Sequence, residues 1–148
     1  MRQMVEDFCL HHAPGSQVFY VGNADEKRAV CREVELAELG ITADKYDRLP
    51  DLVACSPDRS RLLLLEDASA HGPIDEHRRA ELASLFAGSA AELVYVSCFP
   101  SRAAMREHLA MIAWDTAAWC AEEPTHLIHF RGDRLLGPYA ASGRPSHG

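Results

Sequence analysis

Two apolar runs on either side of a short turn constrain this chain more than anything else in it: DLVAC at 51–55, SPDRS at 56–60, then RLLLLE at 61–66. Runs of that length bounded by Pro, Asp and Ser read as adjacent strands of a hairpin. If residues 57–60 form a four-residue loop, Ser56 pairs with Arg61 and Cys55 with Leu62. Continuing outward, Asp51 falls directly opposite Glu66. Both carboxylates then share one face with Cβ atoms about 4.5–5.5 Å apart, a spacing at which like charges destabilise a sheet. The residues between them and the turn are apolar, which puts the pair at the open end of a buried sheet.

A divalent cation between the acids would remove the repulsion. Hard oxygen ligands at this spacing suit Mg²⁺, which commonly takes one or two carboxylates and completes its shell with water and substrate phosphate. Three other arrangements stay open on the sequence: a shifted register, one acid turned to solvent, or neutralisation by Arg48 or Arg61.

The 148 residues are 47% apolar, which suits one domain with a single core. Acidic residues outnumber Lys and Arg by 22 to 15, for a net charge of -7, so charge alone does not make this a nucleic-acid binder. No apolar stretch approaches the roughly 20 residues of a membrane span. The N-terminal MRQMVEDFCLHH places acids where a signal peptide has an apolar run. The expectation is a cytoplasmic protein with no membrane partner. Five scattered cysteines, at 9, 31, 55, 98 and 120, read as reduced, packed thiols.

Periodicity places a helix over the first ten residues, with Met1, Met4, Val5 and Phe8 on one face and a stop at Pro14-Gly15. Residues 17–22 read as a buried strand. A helix is expected over 25–39, burying Val30, Val34 and Leu36 and capped by Gly40. Asp75 caps a helix carrying Leu82, Leu85 and Phe86, and 93–98 is another buried strand. Ser101 caps a helix with Met105, Leu109, Ile112 and Ala113 at helical spacing. A terminal hairpin is expected from 126–130 and 134–136 around Gly132-Asp133. Residues 1–139 read as a single domain and 140–148 as a disordered tail. Trp114 and Trp119 read as core or interface anchors, an exposed one being able to stack on a base.

Taken in order, the segments VFYVGNADEKR, LAELGI, LPDLV, LLLLEDASAHGPI, AWDTAAW and EEPTHLIHFRGDRLLGP resemble the C-terminal catalytic region of BsuBI/PstI-type restriction endonucleases. The resemblance runs from about Pro14 to Pro138. It implies the PD-(D/E)XK nuclease fold: α/β, a mixed central sheet flanked by helices, to which the residues above add a C-terminal hairpin. It also implies Mg²⁺-dependent hydrolysis of DNA phosphodiesters, with Mn²⁺ as a possible substitute. Pro50-Asp51 match the PD element and Glu66 the second acid. Asp51 and Glu66 would hold the metal, which polarises the scissile phosphate and lowers the pKa of an attacking water.

Two positions depart from the pattern. The general motif carries a lysine two residues after the second acid, where this chain has Ala68. The resemblance implies that BsuBI/PstI-type members lack that lysine. Lys27 is the first candidate for a substitute catalytic cation, followed by His71, Arg78 and Arg79. Asn23 stands where the resemblance implies an aspartate.

DNA binding needs Lys and Arg against phosphates. Lys27, Arg28, Arg78 and Arg79 are the expected DNA contacts. The resemblance also implies that full-length members carry a separate N-terminal DNA-reading region, so a homodimer or a partner subunit is expected to supply recognition. The resulting expectation is a stand-alone nuclease subunit of a restriction or phage-defence assembly. The alternatives are a catalytically inactive member serving as a protein- or DNA-binding module, and an acidic partner that mimics DNA charge.

Two histidine-rich segments do not make a zinc site. His126 and His129, three apart on a strand, face opposite sides, and no CxxC pair accompanies Cys9, His11 and His12.

Overall fold

The β3–β4 hairpin anticipated from the sequence is the centre of the molecule. β3 (Leu52–Cys55) pairs antiparallel with β4 (Arg61–Asp67) in the expected register, Cys55 opposite Leu62 and Leu52 opposite Leu65. Ser56 N–H donates to Arg61 O at 2.9 Å and closes the turn. This computed structural model describes residues 2–23 and 27–132.

Around the hairpin lies one seven-stranded sheet in the order β2-β1-β3-β4-β5-β6-β7. β1 (Gln17–Asn23) runs antiparallel to both β2 (Lys27–Cys31) and β3. β4, β5 (Glu92–Phe99) and β6 (Thr116–Cys120) are parallel, and β7 (Ile128–Phe130) returns antiparallel to β6. Parallel neighbours require crossovers. The first is supplied by α3 (Ala68–His71) and α4 (Glu76–Leu85), the second by α5 (Arg102–Arg106).

The run of four leucines is explained by burial on both faces of the sheet. Val53, Cys55, Leu62 and Leu64 face a core with Leu36, Ile74, Leu82 and Phe86. Leu52, Ala54, Leu63 and Leu65 face the opposite core, where α1 (Arg2–His12) brings Phe8 against Trp119. The two rings meet edge to face with centroids 5.9 Å apart. Trp119 Nε1–H, which would be an orphan donor in that core, donates to Pro124 O at 3.0 Å.

Several expectations are corrected. The helix expected over 25–39 is divided, its first part being strand: β2 pairs Cys31 with Tyr20 and Val30 with Val21, satisfying backbone groups that β1 would otherwise expose as a sheet edge. Only α2 (Glu33–Glu38) is helical, ending at Gly40 with φ +86°, where Gly40 N–H donates to Ala37 O at 2.9 Å. Leu36 is buried as expected, but Val34 is 70% exposed. The Ser101-capped helix stops after five residues and gives way to a 3₁₀ turn at Leu109–Met111, with Leu109 and Met111 exposed. Of the two tryptophans, Trp119 is wholly buried in β6, a strand not anticipated, and Trp114 is 61% exposed. β7 pairs with β6; the second arm expected at 134–136 and the tail at 140–148 lie outside the described residues. All five cysteines are free thiols. Among the described residues no helix is long and apolar enough to cross a membrane.

Candidate active site

Leu52 opposite Leu65 is the last pair of the β3–β4 ladder, and one step further Asp51 meets Glu66. Each acid accepts a hydrogen bond from backbone on the other strand. Asp67 N–H donates to Asp51 Oδ2 at 2.7 Å, and Asp51 N–H donates to Glu66 Oε1 at 3.3 Å. Gly22 N–H donates to Asp51 O at 2.8 Å, tying β1 to the same point. By strand alternation both acids share the face of Val53, Cys55, Leu62 and Leu64, toward α4. Asp51 is half-buried and Glu66 is 7% exposed.

The cation on Glu66 is neither Arg48 nor Arg61. Arg61 approaches Glu92 at 3.6 Å, and Arg48 contributes its carbonyl oxygen. Arg78 of α4 fills the role, its Nε donating to Glu66 Oε2 at 2.5 Å. Burial pushes the Glu66 carboxyl above its usual range, and the nearby Asp51 adds to this, against the pull of the Arg78 charge and hydrogen bond. Burial works to lower Arg78, but the Glu66 charge and its hydrogen bonds to Glu66 and Glu81 outweigh that and hold it above its usual value. Arg78 stays cationic, so the charge balance of the pair rests on Glu66, where burial is the larger influence.

The acids open onto a cleft of about 610 Å³. Its walls are Tyr20 and Gly22 of β1, Tyr46 and Asp47 of a 3₁₀ turn (Ala43–Arg48), Gly72 and Pro73, and Asp75, His77 and Arg78 at the start of α4. A Cβ at Gly22 would lie 3.3 Å from the Tyr20 ring, so glycine there lets the ring lie against the strand. Asp75 caps α4 as expected, its carboxylate accepting from Arg78 N–H at 2.8 Å. That His77 and the two tyrosines line the cleft follows from how α4, β1 and the 3₁₀ turn dock, for which the sequence carries no local signal.

The other anticipated residues separate. Ala68 does not continue the strand. Asp67 ends β4 and caps α3, its Oδ1 accepting from Ser69 N–H at 3.1 Å and from the Ser69 hydroxyl at 2.6 Å. The chain therefore turns, and Ala68 is buried with Phe99, Met105, Ala118 and Cys120. The backbone of Lys27 pairs with Asn23 and that of Arg28 with Gly22, at the end of β1 that borders the cleft. The side chains of Asn23, Lys27, Arg28 and His71 lie outside the described residues. Arg79 is not a cleft residue; it pairs with Glu76 at 2.8 Å.

Among the described residues no group of three or more His, Cys, Asp or Glu is arranged to hold a metal. The donor set at Asp51 and Glu66 is two carboxylates. Each carboxylate has about four lone-pair directions, and the hydrogen bonds above do not exhaust them. That chemistry fits a hard divalent cation whose remaining ligands are water and phosphate.

A mixed sheet flanked by helices, with paired acids at the exit of its central hairpin, defines a single α/β domain of the nuclease-like class. The chain belongs to the BsuBI/PstI restriction endonuclease domain family, which it matches over residues 1–133. It is 42% identical over 139 residues to the type II restriction enzyme BsuBI of Bacillus subtilis, covering 94% of this chain and 44% of that one. It is 30% identical over 143 residues to the type II restriction enzyme AplI of Arthrospira platensis, covering 92% and 44%. The solved structure of SdaI restriction endonuclease superposes with a TM-score of 0.82 at 44% identity, covering 94% of this chain and 44% of that one. The chain thus spans less than half the length of the relatives it matches.

Proposed function

We propose that this chain carries the catalytic site of a metal-dependent DNA endonuclease, hydrolysing phosphodiesters with Mg²⁺, or Mn²⁺ in its place, at Asp51 and Glu66. The observation that carries the proposal is the pairing of these two acids across β3 and β4 at the mouth of a cleft, in a member of a restriction endonuclease family. When bound, the ion polarises the scissile phosphate and lowers the pKa of the attacking water. The chain's own contribution is to present two acids already fixed in place. Asp51 is held by Asp67 N–H and Glu66 by Asp51 N–H, so neither has to be ordered when substrate arrives.

Lys27 and Arg28, whose backbones pair with Asn23 and Gly22 of β1, are the proposed phosphate contacts of the chain, Gly22 being a wall of the cleft. Arg78 is less suited to that task because its donors are spent on protein acceptors. His71 follows Glu66 closely in the chain and is retained as a candidate catalytic residue. DNA recognition would come from a second copy of the chain or from a partner subunit, in a restriction or phage-defence assembly of the cytoplasm.

A second reading, a catalytically inactive member acting as a protein- or DNA-binding module, draws on two observations: residue 68 is a buried alanine, and Arg78 occupies Glu66. One assay separates the two. Supercoiled plasmid is incubated with Mg²⁺ or Mn²⁺ and the wild type, Asp51→Ala or Glu66→Ala. Metal-dependent nicking by the wild type alone is expected. Absence of nicking by the wild type, with genomic-neighbour proteins added, would overturn the endonuclease reading.

A further inference from the structure

Arg78 is an unusual choice for its position in the chain. It is the third residue of α4 behind the Asp75 cap, and a helix N-terminus disfavours cations. Within α4 its one local partner is Glu81, whose Oε1 accepts from Nη1 at 2.9 Å in an i,i+3 pair; its other contacts are tertiary. Nε donates to Glu66 Oε2 at 2.5 Å, Nη1 to Arg48 O at 3.2 Å and Nη2 to Leu49 O at 3.2 Å. Arg48 and Leu49 are the third and second residues before Asp51. The guanidinium thus grips the chain leading into one acid and the carboxylate of the other.

We propose that Arg78 is the positioning residue of the acid pair, fixing the spacing between Asp51 and Glu66 and setting how strongly the pair attracts a divalent cation. This deepens the proposed function and rests on it. By taking Glu66 Oε2, Arg78 leaves Oε1 as the oxygen turned toward Asp51, where Asp51 N–H already donates to it. A guanidinium in contact with Glu66 also repels any cation that the acids bind. Only a planar fork satisfies the carboxylate and two carbonyls together; a lysine ammonium supplies the charge without the fork.

The test titrates Mn²⁺ into the wild-type chain, R78Q and R78K by calorimetry without DNA, with plasmid nicking measured in parallel. R78Q is expected to bind Mn²⁺ about tenfold more tightly, because the repulsion is gone. It should nick at least about tenfold more slowly, because the two carboxylates are no longer held at their spacing. R78K should return Mn²⁺ affinity to near the wild-type value while nicking stays low. R78Q with wild-type or weaker Mn²⁺ affinity would overturn the proposal, as would R78K with wild-type nicking. The lysine arm decides alone if R78Q does not fold. A wild type that takes up no Mn²⁺ removes the acid-pair site and this proposal together. A wild type that binds and nicks, with R78Q indistinguishable from it, removes this proposal only.

Discussion

Asp51 and Glu66 brace one another through backbone: the chain just after Glu66 holds the Asp51 carboxylate, and the N–H of Asp51 holds the Glu66 carboxylate. An acid held this way can lose its charge and keep its hydrogen bond. Asp51→Asn retains an oxygen for Asp67 N–H but no longer offers an anionic ligand. Metal assistance is worth several kcal/mol of transition-state stabilisation, so nicking should fall at least about a hundredfold. The thermal midpoint should stay within a few degrees of wild type. Plasmid nicking beside a melting curve checks both, and an Asp51→Asn protein that nicks normally would remove Asp51 from the site.

Ala68→Lys tests whether the general nuclease pattern can be restored by sequence alone. Residue 68 is 1% exposed, packed on Phe99 and Met105 after the chain has turned at Asp67. A lysine there would have to bury its charge or expel its neighbours, at a cost of about 3 kcal/mol. Urea denaturation should show that loss, with no gain in nicking. An Ala68→Lys protein that is as stable as wild type and faster would mean the β4 exit can straighten.

The difference between what the sequence disclosed and what it hid is one of range. The β3–β4 register was legible because it depends on loop length and two adjacent apolar runs, and it alone brought Asp51 opposite Glu66. β2 was hidden because KRAVC, with helix-prone residues on both sides, becomes a strand only to cover the edge of β1. Arg78 was legible as one cation among several. Its partner was not, because the docking of α4 over β4, rather than any local spacing, brings Arg78 to Glu66. The fate of residue 68 turned on a single cap: Asp67 accepting from Ser69 ends the strand one residue before the expected lysine position.

Glu66 gives stability a defined dependence on pH. Burial raises its carboxyl pKa in the fold, so the folded state favours the neutral form. The stability this contributes is full below the unfolded value of about 4.3 and is lost as pH rises through the folded value. Glu66→Gln is neutral throughout and lacks this dependence. In metal-free buffer the wild type should therefore lose stability relative to Glu66→Gln as pH rises from about 4 through the raised pKa. Melting curves of both proteins from pH 4 to 7 read the difference directly. A wild type that gains on the variant over that range would mean that Arg78 outweighs burial.

Asp58 should behave in the opposite sense at the other end of the hairpin. Its carboxylate accepts from the Ser60 hydroxyl at 2.7 Å, the Ser60 N–H at 3.0 Å and the Ser56 hydroxyl at 2.9 Å, and these bonds hold its pKa down at about 2. A depressed carboxyl contributes stability above the unfolded value of about 3.9, and that contribution disappears as pH falls through the folded value. Asp58→Ala should melt below wild type at neutral pH, with the gap closing as the pH falls from about 4 toward about 2. The consequence for the site follows from the register, because a slip of one residue moves every side chain of a strand to the opposite face. Asp51 and Glu66 would then no longer share one. Asp58→Ala should therefore also nick more slowly than its residual stability accounts for, measured well below its melting point. Normal nicking by the variant there would mean that the apolar pairing alone sets the register, without the turn.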